Sequence, residues 1–130
     1  MKTSELTGAA LDWAVAKCEG HTTVFNHQYT EDKKFDGWWQ LGPNHWQPLR
    51  TYSTDWTHGG PIIERECFAR IVTNVSGGFT VSTKVKEEDG DGEEFLRWVH
   101  GSGPTPLIAA MRCYVASKLG DEVEVPNELA

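Results

Sequence analysis

The stretch Gly101–Gly120, GSGPTPLIAAMRCYVASKLG, constrains the fold more than any other part of the chain. Thr105 is placed to cap a helix with its side-chain oxygen, and Pro106 fits the first helical position, where a missing N–H costs nothing. Gly120 supplies a left-handed stop. At 100° per residue, Leu107, Ile108, Met111, Val115 and Leu119 fall on one broad apolar stripe. Ala109, Cys113 and Ala116 form a second face, small enough for another backbone to come close. The pattern predicts a helix over 106–118, buried on more than one side, with Leu107, Met111 and Val115 in the core. Its small-residue face also suggests a symmetric contact, hence a homodimer or higher homo-oligomer.

Arg112 sits at the edge of that stripe. A guanidinium stays charged, so burying it calls for an anion, either a carboxylate of the chain or a bound ligand. The preceding Gly-Ser-Gly-Pro-Thr adds free N–H groups and hydroxyls that can receive phosphate or carboxylate. Both readings, an internal ion pair and a ligand site, stay open at this point.

A chain of 130 residues supports one domain, 1–130, with a real core. No apolar run approaches a membrane span, and Met1–Glu5 lacks the apolar stretch of a signal peptide. Cys18, Cys67 and Cys113 are odd in number and widely spaced, which fits neither a zinc site nor a disulfide framework and points to a reducing cytoplasm. No metal and no cofactor are expected.

The net charge of −7 is unevenly placed. Six acids lie in 87–94 and four more after Gly120; setting those ten aside leaves nine acids against twelve Lys and Arg. The globular body is therefore mildly basic, with an exposed acidic loop at 87–94 and an acidic, partly disordered tail at 121–130. Polymeric nucleic acid is not an expected partner, because it requires an extended basic surface. A compact anion is compatible.

Along the chain, Leu11, Ala14, Val15 and Cys18 make an apolar face of an N-terminal helix, with Thr7 as its cap, Leu6 packing on Leu11 and Gly20 as its stop. Thr22–Phe25 has strand character, and Glu31–Lys34 is a solvated charge run. Phe35, Trp38, Trp39 and Trp46 follow among Gly37, Gly42, Pro43 and Pro48, a density of breakers that argues against a long helix or central strand. Those tryptophans serve as packing, as ligand-stacking faces or as a partner surface.

The second informative stretch is Tyr52–Pro61. Ser53, Thr54 and Asp55 build tight turns, Gly59 and Gly60 let backbone approach closely, and Pro61 sets the exit. Together with Trp56, they suit the polar edge of a ligand or a purely structural turn equally. Ile62–Glu66 reads as a helical turn or a strand start. Residues 68–75 and 79–86 make the best hairpin, and 95–99 a further short strand. The class is α+β: a small, mainly antiparallel sheet packed against one long C-terminal helix and an N-terminal helix.

No phosphate loop, paired-His metal spacing or nucleophile elbow is present. His58 beside Asp55 is the nearest approach to a base held by an acid, and no nucleophile accompanies it.

Three segments carry a family likeness: MKTSELTGAALDWAVAK at the start, YSTDW and HGGPIIERE in the middle, and TPLIAAMRCYVASKLGDEVEVP at the end. They resemble the NinX family of lambdoid bacteriophages. The resemblance implies a small cytoplasmic protein made during infection of a bacterium, and it implies no activity. It coincides with the Ser-Thr-Asp-Trp segment and the Arg112 helix, so a surface shared by both would explain why they occur together. The expected function is non-enzymatic binding of a small anionic, nucleotide-derived ligand, sequestering a host immune signal. Arg112 and the Thr105 helix start would hold phosphate, Trp56 or a loop tryptophan would stack a base, Ser53, Thr54 and Asp55 would bond ribose or base edges, and Gly59 and Gly60 would admit the ligand. The alternatives are an inhibitor that meets a host factor through Trp38, Trp39, Trp46 and the acidic loop, and a nucleotide-cleaving enzyme using Asp55 and His58.

Overall fold

A computed structural model describes residues 1–25, 28–30, 33–34, 38–41, 46–66, 68 and 70–129, with backbone alone at 28–30, 33–34 and 128. Phe35, Gly37, Gly42, Pro43, Cys67 and the acids of the 31–34 charge run lie outside the described residues. In chain order the elements are a 3-10 turn at Thr3–Glu5, α1 (Gly8–Cys18), β1 (Thr23–Phe25), β2 (Gln28–Thr30), β3 (Lys33–Lys34), β4 (Trp38–Leu41), β5 (Trp46–Pro48), α2 (Trp56–Glu66), β6 (Arg70–Thr73), β7 (Phe79–Glu88), β8 (Glu94–Gly103), α3 (Pro106–Leu119) and a closing 3-10 turn at Asn127–Leu129. The class is α+β, as the residue pattern predicts.

α3 is the centre. Thr105 Oγ1 accepts from Ile108 N–H at 3.1 Å, and Gly120, at φ 87°, closes the helix. Leu107, Met111 and Val115 are fully buried, joined by Leu6, Leu11 and Val15 from the N-terminal segment and Val81 and Val99 from the sheet. The sheet in order β6-β7-β8 is antiparallel throughout and lies against α3. At Gly101 a side chain would run into the α3 backbone at Ala109 O and Cys113 N, and at Gly103 into Ile108. The small face of α3 is thus consumed inside the chain by β8. This corrects the expectation that it forms a symmetric contact: Ala109 and Cys113 are buried and Ala116 nearly so.

Several expectations are corrected by packing. Residues 56–66 are one helix, with Gly59, Gly60 and Pro61 inside it, so the second informative stretch is a short turn followed by α2. Pro61 sits past the first turn, where its missing N–H removes one helical bond, and Ile62 beneath it is buried in the core. β4 is the central strand of a second antiparallel sheet, β1-β4-β5; it is four residues long and ends before Gly42-Pro43, so the breakers flank it without interrupting it. Thr7 precedes α1 but its side chain makes no cap bond, while Leu6 and Leu11 are both fully buried. β7 and β8 are ten residues each, so the acidic stretch 87–94 is two strand ends around a turn, held by Asp89 Oδ1 accepting from Asp91 and Glu93 N–H. The strand to the main helix therefore runs to Gly103 and takes the Gly-Ser-Gly with it. The tail is tied down: Met1 N donates to Val123 O, Val123 N donates to Met1 O, and Val123 is buried.

The three helices are locked by a polar cluster with no signal in the residue pattern. Arg65 of α2 forms a two-pronged pair with Glu19 at the end of α1 (2.9 and 2.7 Å), and Tyr114 of α3 donates to Glu19 Oε2 at 2.6 Å. Burial alone would raise the Glu19 pKa, but the bonds from Arg65 and Tyr114 outweigh it and hold the carboxyl below its ordinary value.

Candidate functional site

Arg112 leaves α3 one turn after Ile108 and reaches across the end of β8. Its Nε donates to Leu6 O at 2.9 Å and its Nη1 to Ser102 O at 2.7 Å. Among the described residues no carboxylate pairs with it, and Nη2 makes no hydrogen bond. Among the described residues the internal ion pair considered from the sequence is therefore absent; two neutral carbonyls hold the guanidinium instead. Burial lowers its pKa from the ordinary value, yet a guanidinium remains charged at neutral pH.

Two adjoining hollows share Arg112, Ser4 and Ser102. One, of about 300 Å³, adds Lys2, His100, Asp121 and Glu122. The other, of about 430 Å³, adds Asn74, the Gly77-Gly78 turn and Gly103, and among the described residues Arg112 is its one charged lining group. These volumes fall in the small-molecule range. The polar groups between them are ordered. Thr80 donates its hydroxyl hydrogen to Asn74 Oδ1 at 2.7 Å, so the 2.9 Å contact with Ser102 has Ser102 as donor. That arrangement leaves the Asn74 amide hydrogens and the Ser102 lone pairs available. His100 is bonded to Ser82 at 2.6 Å and lies parallel to Trp98, with centroids 6.2 Å apart.

The other anticipated residues gather elsewhere. Ser53, Thr54, Trp56 and Thr105 line a hollow of about 170 Å³ that does not include Arg112. Ser53 is buried, and both its N–H and hydroxyl are given to Asp12. Asp55 accepts from Thr57 N–H at the start of α2, a bond that keeps its pKa below the ordinary value. Gly59 approaches Tyr52 O and Leu107 so closely that no side chain fits, and Gly60 lies under the Trp56 ring. Trp56 is 56% exposed. His58 uses Nδ1 to accept from Thr51 N–H at 3.2 Å, so its ring is not held by Asp55. Trp39 is buried and Trp38 packs edge-on to Trp13.

A larger hollow, about 580 Å³, lies by Ala9, Asp12, Trp38, Thr51 and Thr54. Among the described residues its charged lining group is Asp12, already committed to Ser53 and repulsive to an anion, whereas the hollow beside Asn74 and Gly77-Gly78 is lined by Arg112. Lys2, Ser4, Asn74 and His100 escaped sequence reasoning because they are brought together by the meeting of the N-terminus, a hairpin turn and β8. The alternation of Trp98, His100 and Ser102 along one strand face was the available signal.

A family model described as Bacteriophage P22, NinX, matches residues 2–118. The chain belongs to the NinX family. No curated protein matches it. The NinX match covers every residue that lines the two hollows except Asp121 and Glu122. The family segments meet in the interior of this NinX protein: Ser53 on Asp12, Gly59 on Leu107, Arg65 on Tyr114. Packing alone accounts for their joint occurrence. Among the described residues of this NinX chain, no helix is long and apolar enough to cross a membrane, and no cluster of His, Cys, Asp and Glu has the makings of a metal site.

Proposed function

We propose that this phage protein binds a small, anionic, nucleotide-derived molecule at the Arg112 cleft and sequesters it unchanged in the cytoplasm of the infected host. A host nucleotide immune signal is the physiological candidate. The observation that carries the reading is the state of Arg112: a half-buried guanidinium held by Leu6 O and Ser102 O, with no carboxylate paired to it among the described residues. Such a cation offers its remaining donors to an incoming phosphate, with Lys2 nearby. Ser4, Ser102 and Asn74 supply the hydroxyls and amide suited to ribose or base edges, and the His100 ring supplies a flat face. Asp121 and Glu122 favour phosphate in the half of the cleft near Asn74 and Gly77-Gly78.

The test is to mix the protein with the small-molecule fraction of an infected lysate, reisolate it, denature it by heat and identify what is released. An intact nucleotide, lost with Arg112→Ala and partly retained with Arg112→Lys, is the expected result. An altered nucleotide would instead indicate chemistry, and no released molecule would remove the reading.

A further inference from the structure

We infer that β8 carries a self-association surface: its free edge pairs antiparallel with the same strand of a second copy, joining the two β6-β7-β8 sheets. β8 pairs with β7 in unbroken register over ten residues, and among the described residues nothing pairs with its other edge. Which groups face that edge follows from two hydrogen bonds. Arg112 reaches Ser102 O from outside the sheet, and Glu93 O is turned inward to Asp89 N–H. Direction alternates along a strand, so Glu94, Leu96, Trp98 and His100 present their N–H and C=O groups outward. Exposed edges are ordinarily blunted by proline, bulges or brevity. This one is long and regular, has no proline, and leaves Phe95, Leu96 and Trp98 at 46, 57 and 45% exposure.

The occupant is a second copy because the edge is complementary to itself. Arg112 closes it at Ser102, so the open segment runs from Glu94 to His100, with Arg97 at its midpoint. Antiparallel pairing about Arg97 sets Leu96 opposite the partner's Trp98, and Glu94 opposite the partner's His100. Each Arg97 at the centre is already neutralised by its own Glu87 at 2.6 Å, which limits repulsion between the two copies. His100 also lines the Arg112 cleft, so association is measured without ligand and its outcome is read separately from ligand binding.

The test uses the full chain in sedimentation velocity over a concentration series. Wild type is expected to be a dimer that Leu96→Pro, which removes one outward N–H, dissociates without loss of the folded far-UV spectrum. Glu94→Lys alone and His100→Glu alone should each weaken association by about tenfold, because each homodimer then carries like or unpaired charges at two contacts. Mixing the two variants should restore it, since the heterodimer pairs the new charges. A wild type that stays monomeric at its highest soluble concentration overturns the inference. So does an oligomer indifferent to these substitutions, or a mixture that fails to recover.

Discussion

Asp12 and Ser53, 41 residues apart, are joined through one oxygen: Asp12 Oδ1 accepts from the Ser53 N–H at 2.8 Å and from its hydroxyl at 2.7 Å. The contact fastens the turn before α2 to the side of α1. It also buries a carboxyl, and that burial raises the Asp12 pKa above 3.8 despite the two bonds from Ser53. Asp12→Ala leaves the buried Ser53 donors without an acceptor and should cost about 1–3 kcal/mol in denaturant unfolding.

The pH dependence at this position has a definite sign. A raised folded pKa means that the stability Asp12 contributes is complete below about pH 3.8 and is lost as pH rises through the folded value. Asp12→Asn keeps an acceptor and removes the charge. Its stability relative to wild type should therefore improve from about pH 3 to neutrality.

Glu19 should behave oppositely. Its pKa is held down by Arg65 and Tyr114, so its contribution is present above about pH 4.5 and is lost as pH falls through the folded value. Glu19→Gln should cost about 1–3 kcal/mol near neutrality and much less in acid, read as melting temperatures across pH. An equal loss at all pH values would show that the cluster is held by shape alone.

Two core substitutions test the organising role of α3. Met111→Ala removes a fully buried side chain and should cost about 2–5 kcal/mol. Gly101→Ala should cost about 1–3 kcal/mol, because the added carbon meets helix backbone, which cannot swing aside. Both are read from chemical denaturation.

Cys18 and Cys113 are pushed up to about 12, by burial foremost, so neither forms thiolate at neutral pH. In a Cys67→Ser background, a disulfide reagent should react slowly with the folded chain and stoichiometrically only after unfolding. Rapid labelling of the native protein would show that burial does not suppress thiolate formation at half-buried Cys18 or buried Cys113.

Arg112→Ala should leave the fold largely intact, costing about 1–2 kcal/mol, because it strands two carbonyls and no buried acid. A loss of about 3–5 kcal/mol, the range for a broken buried ion pair, would mean that a carboxylate pairs with it in solution.

The residues of α3 determined their own helix: cap, proline, apolar stripe and glycine stop are all local, and each acts through contacts within a few residues. The 68–86 hairpin was legible for the same reason, since alternation and a Gly-Gly turn are short-range signals. α2 was not, because Gly59-Gly60-Pro61 is a poor helix locally, and what holds it is remote: Gly59 against Tyr52 and Leu107, Ile62 in the core, Arg65 on Glu19. Periodicity showed that the small face of α3 invites a close neighbour, but only the tertiary structure decided that the neighbour is β8 of the same chain. Arg112 follows the same division. Its charge and its place on an apolar helix were written in the sequence and demanded partners. That those partners are two carbonyls from Leu6 and Ser102, with a cleft open beside them, depends on three distant segments meeting at one edge of the sheet, which no local preference encodes.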